Sequence, residues 1–418
     1  MQRIVSREYF SGEFTLPGDK SITHRAVMFN AAAEGEAVIS NALMGEDCLS
    51  TCSCMRSLGA KIDIDGTTVR VKGTPDFQSG RELNCGNSGT TIRLLTGLVA
   101  GKGIAATLYG DESLSSRPMR RVAEPLALLG ADVKTTGGRA PVYVSPKRLQ
   151  GADVTISVAS AQVKSALLLA GISAEGATTV TEPTKSRDHT ERMLAAMGAN
   201  IAVNGNSVTV QNSRLRSVDV SVPADISSAA YFMALGALKG KTLCKNVGIN
   251  PTRTGILNAF DKLGVKYSLQ NRGVSGGEER ADILVEKSNM RAIQLSQAEI
   301  PALIDELPLI ALLCAFAEGE SRITGAKELR VKESDRIRTT AEMINAFGGD
   351  CQELPDGFII RGKKTLTGGN CDSYLDHRIA MTAAVGLIAS QKGGYISRPE
   401  CCAISFPDFF EKLGVCTR

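Results

Sequence analysis

The sequence lacks an apolar run long enough to cross a lipid bilayer. Its most apolar segments, SALLLAGISA and LPLIALLCAFAEG, fall well short of the roughly 20 residues that a membrane-spanning helix needs. They predict helices buried in a globular core. The N-terminal MQRIVSREYFSGEF has neither the apolar centre of a signal peptide nor the acid-poor character of a transit peptide. We therefore expect a cytoplasmic protein that starts at this methionine.

An excess of charge of one sign is also missing. Against 48 Lys and Arg stand 44 Asp and Glu, which leaves a net charge of only +4. No basic stripe interrupts this even distribution, so a nucleic-acid partner is not expected.

The eleven cysteines form no paired framework, and their number is odd. Reduced thiols in a cytoplasm are therefore expected. The group Cys48, Cys52 and Cys54 raises the alternative of a metal site, but no His or second Cys pair stands nearby at ligand spacing. We expect no metal.

Nucleotide-binding signatures are absent as well. The sequence has neither the GxxxxGK[ST] of a P-loop nor the GxGxxG of a dinucleotide fold, so ATP and NAD are not implied. It does have a Gly-rich segment at 86–90, GNSGT, before an apolar stretch. Such an entry into a helix brings backbone amides close to a phosphate, although alone it is a weak signal.

Two signals repeat along the chain in step with each other. In the first, a helix-like segment ends at a Gly before a strand-like stretch, with spacings of 66 to 84 residues, at Gly59, Gly130, Gly198, Gly264, Gly348 and Gly414. In the second, a polar motif opens an apolar helix, near Ser21, Asn87, Ser160, Asp225, Asp305 and Asp376. Helices that are apolar all round have to be buried. The sequence therefore predicts six α/β units.

With 418 residues the chain is too long for one ordinary core, so six units predict two domains of three units each. Pro or Gly precedes a helix start in TLPGDK and VPADIS, where the chain can cross between domains. We expect the crossings near Asp19 and Asp225. Lobe I then consists of residues 1–18 and 226–418, and lobe II of residues 19–225.

The polar motifs stand at predicted helix N-termini, where free amides and the helix dipole favour anions. Cationic side chains that suit phosphate and carboxylate lie in or beside the motifs, at Lys20, Arg25, Arg93, Arg117, Arg187, Lys332, Arg336 and Arg378. The only three histidines, His24, His189 and His377, fall in motifs too. A structural hydrogen-bonding role is the simpler reading for His24 and His189, whereas His377 is open.

Three acidic residues are candidates for acid–base chemistry: Asp305, Glu306 and Glu333. Asp305 opens an apolar helix and could simply cap it. Glu333 lies in RVKESDR, which could be a solvated charged face. Burial beside cations would make either a better general acid or base.

Ten motifs in order along the chain resemble those of the 5-enolpyruvylshikimate-3-phosphate synthase family: LPGDKSITHR, GNSGTTIRLL, SSRPMRR, SAQVKSALL, RDHTE, PADISSAAYF, LIDELP, RVKESDR, LDHRIAM and SFPDFF. GDKS, SAQVK, RDHTE and NPTR are similar to its second, bacterial sequence class. The resemblance implies an α/β fold with two lobes, each of three βαβαββ units around buried helices, the inside-out α/β barrel of enolpyruvyl transferases. It implies an active site in the cleft between the lobes.

The implied reaction transfers enolpyruvyl from phosphoenolpyruvate to the 5-hydroxyl of shikimate 3-phosphate, releases phosphate and needs no cofactor. It belongs to the shikimate pathway to chorismate and the aromatic amino acids, and the enzyme is expected to be a monomer. The resemblance assigns shikimate 3-phosphate to Lys20, Ser21, Arg25, Ser160, Gln162, Arg187, Asp305 and Lys332. It assigns phosphoenolpyruvate to Lys20, Gly89, Arg117, Gln162, Arg336 and Arg378. Asp305 resembles the base for the 5-hydroxyl, Glu333 the acid and base for the methylene carbon, and Lys20 is the third catalytic candidate.

The family inhibitor glyphosate competes with phosphoenolpyruvate, and resistant second-class enzymes carry Ala at the position of Gly89. One departure is Ile404, which stands where first-class enzymes have a Lys contact. Two alternatives stay open: a UDP-N-acetylglucosamine enolpyruvyl transferase, whose reactive loop Cys is missing from GDESLSSRPMRR, and a non-catalytic binding protein on the same fold.

Overall fold

The computed structural model describes residues 1–74 and 76–414. The strands are β1 Gln2–Ile4, β2 Phe10–Thr15, β3 Glu36–Ser40, β4 Lys61–Asp65, β5 Thr68–Lys72, β6 Arg81–Asn84, β7 Ala106–Tyr109, β8 Asp132–Thr136, β9 Arg139–Ser145, β10 Asp153–Thr155, β11 Thr178–Thr181, β12 Ile201–Asn204, β13 Ser207–Val210, β14 Val220–Ser221, β15 Gly240–Gly248, β16 Lys266–Ser275, β17 Glu278–Glu286, β18 Gln294–Leu295, β19 Glu318–Ile323, β20 Cys351–Leu354, β21 Gly357–Lys363, β22 Gly369–Asp372 and β23 Gly394–Ser397.

The helices are α1 Lys20–Ala32, α2 Glu46–Ser57, α3 Gly89–Gly101, α4 Glu112–Ser116, α5 Arg120–Leu128, α6 Ala161–Gly171, α7 His189–Ala196, α8 Ile226–Lys239, α9 Gly255–Leu263, α10 Leu307–Phe316, α11 Arg336–Ala346, α12 His377–Ala389 and α13 Phe409–Lys412. Short 3₁₀ segments span Ile300–Ala302, Lys327–Val331 and Pro399–Ile404. Within the described ranges, no helix is both long enough and apolar enough to cross a membrane.

The strands form six small mixed sheets with one recurring plan. In order they are β14-β3-β5-β4, β6-β7-β9-β8, β10-β11-β13-β12, β2-β15-β17-β16, β18-β19-β21-β20 and β22-β23-β1. Each begins with a parallel pair, such as β6 with β7, to which an antiparallel strand is added. Six copies of this plan confirm the predicted six α/β units.

Each sheet accompanies one helix that is buried along nearly its whole length. These inner helices are α1, α3, α6, α8, α10 and α12. Small residues allow them to approach closely: a Cβ on Gly97 of α3 would lie 2.1 Å from the carbonyl oxygen of Ala166 in α6. The predicted buried helices are therefore confirmed, and they form the core of each unit.

The outer helices α2, α5, α7, α9, α11 and α13 each end one or two residues before one of the predicted glycines. All six of those glycines have a positive φ, between 65° and 110°. A side chain is strained in that left-handed conformation, so Gly is suited to end the helix there. At the first five of these positions the chain continues into a strand.

Two compact units divide the chain. Unit 1 comprises 1–17, 224–273 and 279–418, and unit 2 comprises 18–223 and 274–278. Residues 274–278, at the tip of the β16–β17 hairpin, fall in unit 2, whereas the sequence analysis gave them to lobe I. Their grouping has a physical basis, because Glu278 accepts a buried hydrogen bond from His189 at 2.8 Å and Ser275 accepts one from the backbone N–H of Ser221 at 2.9 Å.

Unit 2 contains a fully buried ionic triad. The Lys164 Nζ of α6 lies 2.7 Å from a carboxylate oxygen of Glu182 and 2.7 Å from one of Glu191, and the three side chains are 1%, 1% and 5% exposed. Glu182 also accepts hydrogen bonds from the backbone N–H and the hydroxyl of Ser186. The triad therefore ties α6 to α7 and to the loop that precedes Arg187.

We expect Lys164→Met to destabilise unit 2 by about 3–5 kcal/mol, because it leaves two buried carboxylates without their cation. Lys72→Met is the matched control: Lys72 forms an ion pair of similar length, 2.8 Å, with Glu36 at the exposed surface. Calorimetric unfolding should show a clear loss for Lys164→Met and almost none for the control, where solvent screens the pair. Equal losses would contradict a burial-dependent role.

Candidate functional site

The N-terminus of α1 presents a lysine held by a carboxylate. Asp19 caps the helix by accepting the backbone N–H of Ile22 at 2.9 Å. Lys20, the first helical residue, lies 2.6 Å from Asp47 of α2, and its side chain is 27% exposed. Lys20 therefore has a fixed position and access to solvent, with Ser21 beside it on the first turn.

Arg25 lies one turn deeper and is buried by three helices. Its guanidinium donates to Thr190 at 2.7 Å, to Ser165 at 2.9 Å and to the carbonyl of Ser21 at 2.9 Å. Burial lowers the pKa of Arg25 to about 10, and positively charged Arg187 acts in the same direction. Arg25 and Arg187, both predicted to contact shikimate 3-phosphate, are thus electrostatic neighbours, and Arg187 is partly buried.

Arginines converge on the N-terminus of α3. A Cβ added to Gly89 would lie 3.1 Å from the Nη1 of Arg93 and 3.3 Å from that of Arg117. Arg117 donates to Asn87 at 2.8 Å. Burial lowers the pKa of Arg93 to about 10, and the positive charges of Arg121 and Arg117 lower it further. No carboxylate is among the causes of the shift at Arg93, whereas Arg117 also helps to lower the pKa of Asp47. Several positive charges therefore lie near this helix N-terminus, an arrangement that favours anions.

The N-terminus of α6 is connected to the same place. Ser160 caps it by accepting the backbone N–H of Val163 at 3.4 Å. Gln162 donates to Thr90 of α3 at 3.0 Å and accepts from Arg93 at 2.6 Å. The predicted Gln162 and Gly89 are therefore brought together by Arg93, a residue that the sequence analysis counted as a cation but gave no ligand.

Unit 1 has a different arrangement, in which one arginine is surrounded by carboxylates. Arg336, only 1% exposed, donates to Asp376 at 2.8 and 3.2 Å and to Glu333 at 2.6 Å, and its Nη1 lies 3.6 Å from Asp305. Asp376 also caps α12 by accepting the N–H of Arg378 at 2.9 Å. Asp376 was predicted from the sequence to open an apolar helix, but its ion pair with Arg336 was not predicted.

Asp305 lies between two guanidinium groups. Its Oδ1 faces Arg336 and its Oδ2 lies 3.6 Å from the Nη2 of Arg378. Helix α10 begins at Leu307, so the N-cap position belongs to Glu306 rather than to Asp305. This geometry favours a role in the charged cluster over the helix-cap interpretation.

Glu306 is buried behind Asp305. Its Oε1 accepts from the hydroxyl of Ser227 and lies 3.8 Å from the Nη1 of Arg378. Burial raises the pKa of Glu306, while Arg378 and Arg253 oppose the increase. Asp305 and Glu306 are adjacent in sequence but have very different surroundings, which is how enzymes separate the roles of paired carboxyls.

Glu333 is held by Arg336 at the edge of the cluster, with 36% of its side chain exposed. Burial opposes ionisation of Glu333, but the positive charge of Arg336 outweighs it, and the pKa of Glu333 lies well below its ordinary value. Glu333 is therefore a carboxylate paired with a buried arginine, not a member of a solvated charged face. Lys332 is partly buried next to it.

The three histidines are all buried. His24 bonds Thr51 at 2.7 Å, and His189 bonds Glu278, so both have the structural contacts expected of them. Burial lowers the pKa of His377 to about 3, and Arg378 contributes. His377 is thus neutral beside Glu333 and Arg378.

Cysteines and metals can be judged for residues 1–74 and 76–414. Ten cysteines there are free and buried, and Cys416 lies outside these ranges. In the same ranges no group of three or more His, Cys, Asp or Glu side chains has the geometry of a metal site. Ile404 ends the 3₁₀ segment Pro399–Ile404 and is 37% exposed.

Comparison with known proteins gives one consistent family. A family model described as EPSP synthase (3-phosphoshikimate 1-carboxyvinyltransferase) matches residues 5–413. Enzymes named 3-phosphoshikimate 1-carboxyvinyltransferase from Desulforudis audaxviator and Gloeobacter violaceus are 47% and 45% identical, each covering 98% of this chain and 98% and 97% of their own lengths. The solved EPSP synthase of Acinetobacter baumannii has a TM-score of 0.91 at 40% identity and covers 98% of this chain and 96% of its own. As the motifs predicted, the chain belongs to the EPSP synthase family of 3-phosphoshikimate 1-carboxyvinyltransferases.

Proposed function

We propose that the chain transfers the enolpyruvyl group of phosphoenolpyruvate to shikimate 3-phosphate through two clusters. The arginines of unit 2 bind anions. The carboxylate–arginine cluster of unit 1 moves protons and also supplies Arg336 and Arg378 to phosphoenolpyruvate. The observation that carries this division is the convergence of Arg93 and Arg117 on the N-terminus of α3, 3.1 and 3.3 Å from a Cβ position at Gly89. Phosphate release on mixing both substrates tests the activity and separates an enzyme from a non-catalytic protein on the same fold.

In this proposal, phosphoenolpyruvate binds at Gly89 and Arg117 and at the amides that open α3. Lys20 and Gln162 contribute from the starts of α1 and α6, and Arg336 and Arg378 come from unit 1. Two multiply anionic substrates repel each other, so this density of cations lowers the barrier to their encounter.

Shikimate 3-phosphate is assigned to a second set. Its phosphate and hydroxyls would meet Ser21, Arg25, Ser160, Gln162, Arg187 and Lys20 from unit 2, with Asp305 and Lys332 from unit 1. Arg25 is engaged with protein acceptors, so we assign it to shaping the first turn of α1 as well as to attracting the phosphate. The protein is further expected to be a cytoplasmic monomer.

We assign the proton steps to Asp305 and Glu333, the roles that the family resemblance implies, and the contacts of both carboxylates with arginines support this assignment. Asp305 accepts the proton of the 5-hydroxyl as that oxygen bonds to the enolpyruvyl carbon. Glu333 delivers a proton to the methylene carbon, giving a tetrahedral intermediate. The carbon–oxygen bond to phosphate then breaks, and Glu333 recovers a proton from the methyl group.

Glu333 has to gain a proton before it can act as an acid. Its low pKa depends on Arg336, 2.6 Å away. If anionic phosphoenolpyruvate takes over that guanidinium, the carboxylate loses its strongest cationic partner and its pKa rises. Substrate binding would thereby prepare the acid.

We expect Asp305→Ala and Glu333→Gln each to lower kcat by at least about 100-fold, the usual size for a positioned acid or base, with substrate affinity largely retained. Steady-state phosphate release and equilibrium binding measure the two effects. Arg117→Ala should act chiefly on the KM for phosphoenolpyruvate.

Glu353→Gln provides a matched control for Glu333→Gln, because Glu353 pairs with surface Arg330 at 2.9 Å in the same unit. It should leave kcat unchanged. Near-normal turnover of Asp305→Ala would instead return Asp305 to a purely structural role.

Glyphosate should inhibit this chain, and Gly89→Ala should weaken glyphosate by about tenfold more than phosphoenolpyruvate. The new methyl would stand 3.1 Å from Arg93 and 3.3 Å from Arg117, so these guanidiniums have to yield by a few tenths of an ångström. Glyphosate is longer than phosphoenolpyruvate, so the narrowed space at Gly89 should disfavour it more. Inhibition constants against phosphoenolpyruvate test this. Resistance of the natural chain to millimolar inhibitor, or unchanged binding of both ligands by the variant, would contradict the steric argument.

Because shikimate 3-phosphate is assigned to residues of both units, we expect it to draw them together. Small-angle scattering should give a smaller radius of gyration at saturating ligand. Asp305→Ala with Lys332→Ala, which removes the contacts assigned to unit 1, is the control that should abolish the change. An identical radius with and without ligand would count against shared binding.

A further inference from the structure

A chain of buried hydrogen bonds runs from α1 through α2 to the cap of α3 within unit 2. His24 Nδ1 lies 2.7 Å from the Thr51 hydroxyl, which lies 2.7 Å from the Thr91 hydroxyl, which in turn lies 2.7 Å from the Ser88 hydroxyl. All four residues are 0% exposed. The relay, as we call His24, Thr51, Thr91 and Ser88, ends next to Gly89.

Hydrogen counting gives the relay a direction. The Thr91 hydroxyl donates to Ser88 Oγ at 2.7 Å, and that oxygen also accepts the backbone N–H of Thr91 at 3.1 Å. A second acceptor of the Thr91 hydroxyl, the carbonyl oxygen of Asp47, lies farther away, at 3.4 Å. Because the hydroxyl has a single hydrogen, we assign that hydrogen to the shorter contact with Ser88. Thr91 must then accept from Thr51. Thr51 has spent its hydrogen too, so it must accept from His24 Nδ1.

His24 is therefore the neutral Nδ1–H tautomer, and its Nε2 carries a lone pair. Its surroundings agree. Burial lowers the pKa of His24 to about 3; Lys20 and Arg25 act in the same direction, and Asp47 and Asp19 oppose it. Among the described residues Nε2 has no hydrogen-bond partner, which a bare lone pair tolerates better than a buried N–H.

Although all four residues are buried, the last one, Ser88, is in direct contact with the N-terminus of α3. Ser88 is the N-cap of α3, and its hydroxyl sets the direction in which the first amides of that helix point. Those amides and Arg93 and Arg117 form the anion site. If His24 is replaced by a residue without a donor, the Thr51 hydroxyl is no longer held as an acceptor and can rotate its hydrogen away from Thr91. Thr91 can then rotate its own hydrogen away from Ser88, which changes the cap of α3.

We propose that His24 is a positioning residue for the phosphoenolpyruvate site: it donates through Thr51 and Thr91 to Ser88 and so fixes the anion-binding N-terminus of α3. This rests on the proposed function for the identity of the anion. The hydrogen-bond direction does not depend on it.

The first test is spectroscopic. With only three histidines in the chain, ¹⁵N-labelled imidazole signals can be assigned by comparing the natural chain with His24→Asn. We expect His24 to show a protonated Nδ1 and an unprotonated Nε2 at all values from about pH 5 to pH 8, the range in which an ordinary histidine titrates. An Nε2–H tautomer, or titration near the ordinary pKa, would overturn the relay whatever the enzyme's substrate.

The second test is kinetic. His24→Leu and Thr51→Val should each raise the KM for phosphoenolpyruvate roughly tenfold, while the KM for shikimate 3-phosphate and kcat change less than about threefold. His24→Asn places an amide N–H near the position of Nδ1 and should keep the natural KM within about threefold. Val27→Ala, a core cavity in the same helix, controls for general loosening and should leave the KM values unchanged.

The double variant His24→Leu with Thr51→Val separates a relay from two independent packing defects. Members of one hydrogen-bond chain are coupled, so the double variant should match the stronger single variant. Multiplied effects, or equal changes in both KM values, would overturn the proposal. If the natural chain releases no phosphate at all, the proposed function fails, and the tautomer measurement still decides the relay.

Discussion

The inner helices of each unit have to be buried along their length and yet begin at a polar end. That constraint organises the molecule, because a buried helix start leaves backbone N–H groups that require acceptors. Five of the six solve it with a side-chain cap, at Asp19, Ser88, Ser160, Asp225 and Asp376. The caps differ in charge, and this difference separates the helix ends by task. Ser88 and Ser160 are neutral and leave the dipoles of α3 and α6 available to an anion, whereas Asp19, Asp225 and Asp376 partly compensate theirs.

Helix α10 is the exception. Its N-cap, Glu306, makes no side-chain cap bond, and Pro308 occupies the first turn, where a missing N–H costs little. Glu306 and its neighbour Asp305 both face Arg378, at 3.8 and 3.6 Å. Among the inner helices of the described chain, the one without a side-chain cap is the one that carries the proposed base.

Sequence reasoning recovered whatever is local in the chain. The starts of the inner helices, the glycines that end the outer ones and the sixfold repeat depend on periodicity and on residues a few positions apart. The pairings of Lys20 with Asp47 and of Arg336 with Asp376, 40 residues further on, depend on how helices pack, and no spacing in the sequence encodes them. For the same reason, no substrate contact was predicted for Arg93 from the sequence: its hydrogen bond to Gln162 joins α3 to α6. Asp305 was expected at the start of its helix, but Pro308 and the turn before it place the start at Leu307.

The two units handle positive charge in opposite ways, and the chemistry follows from that contrast. At α3, burial and the positive charges of Arg121 and Arg117 lower the pKa of Arg93, and we propose that an external anion binds there. In unit 1, carboxylates already neutralise the charge of Arg336. Because Arg336 is buried, losing these partners would leave an uncompensated charge and cost free energy. When a further anion binds a guanidinium that already has several carboxylate partners, the guanidinium stabilises each of those carboxylates less. The pKa values of the carboxylates then rise. Glu333 is the most exposed of the three carboxylates, so breaking its pair with Arg336 costs the least, and it is also the carboxylate to which we assign the role of the acid.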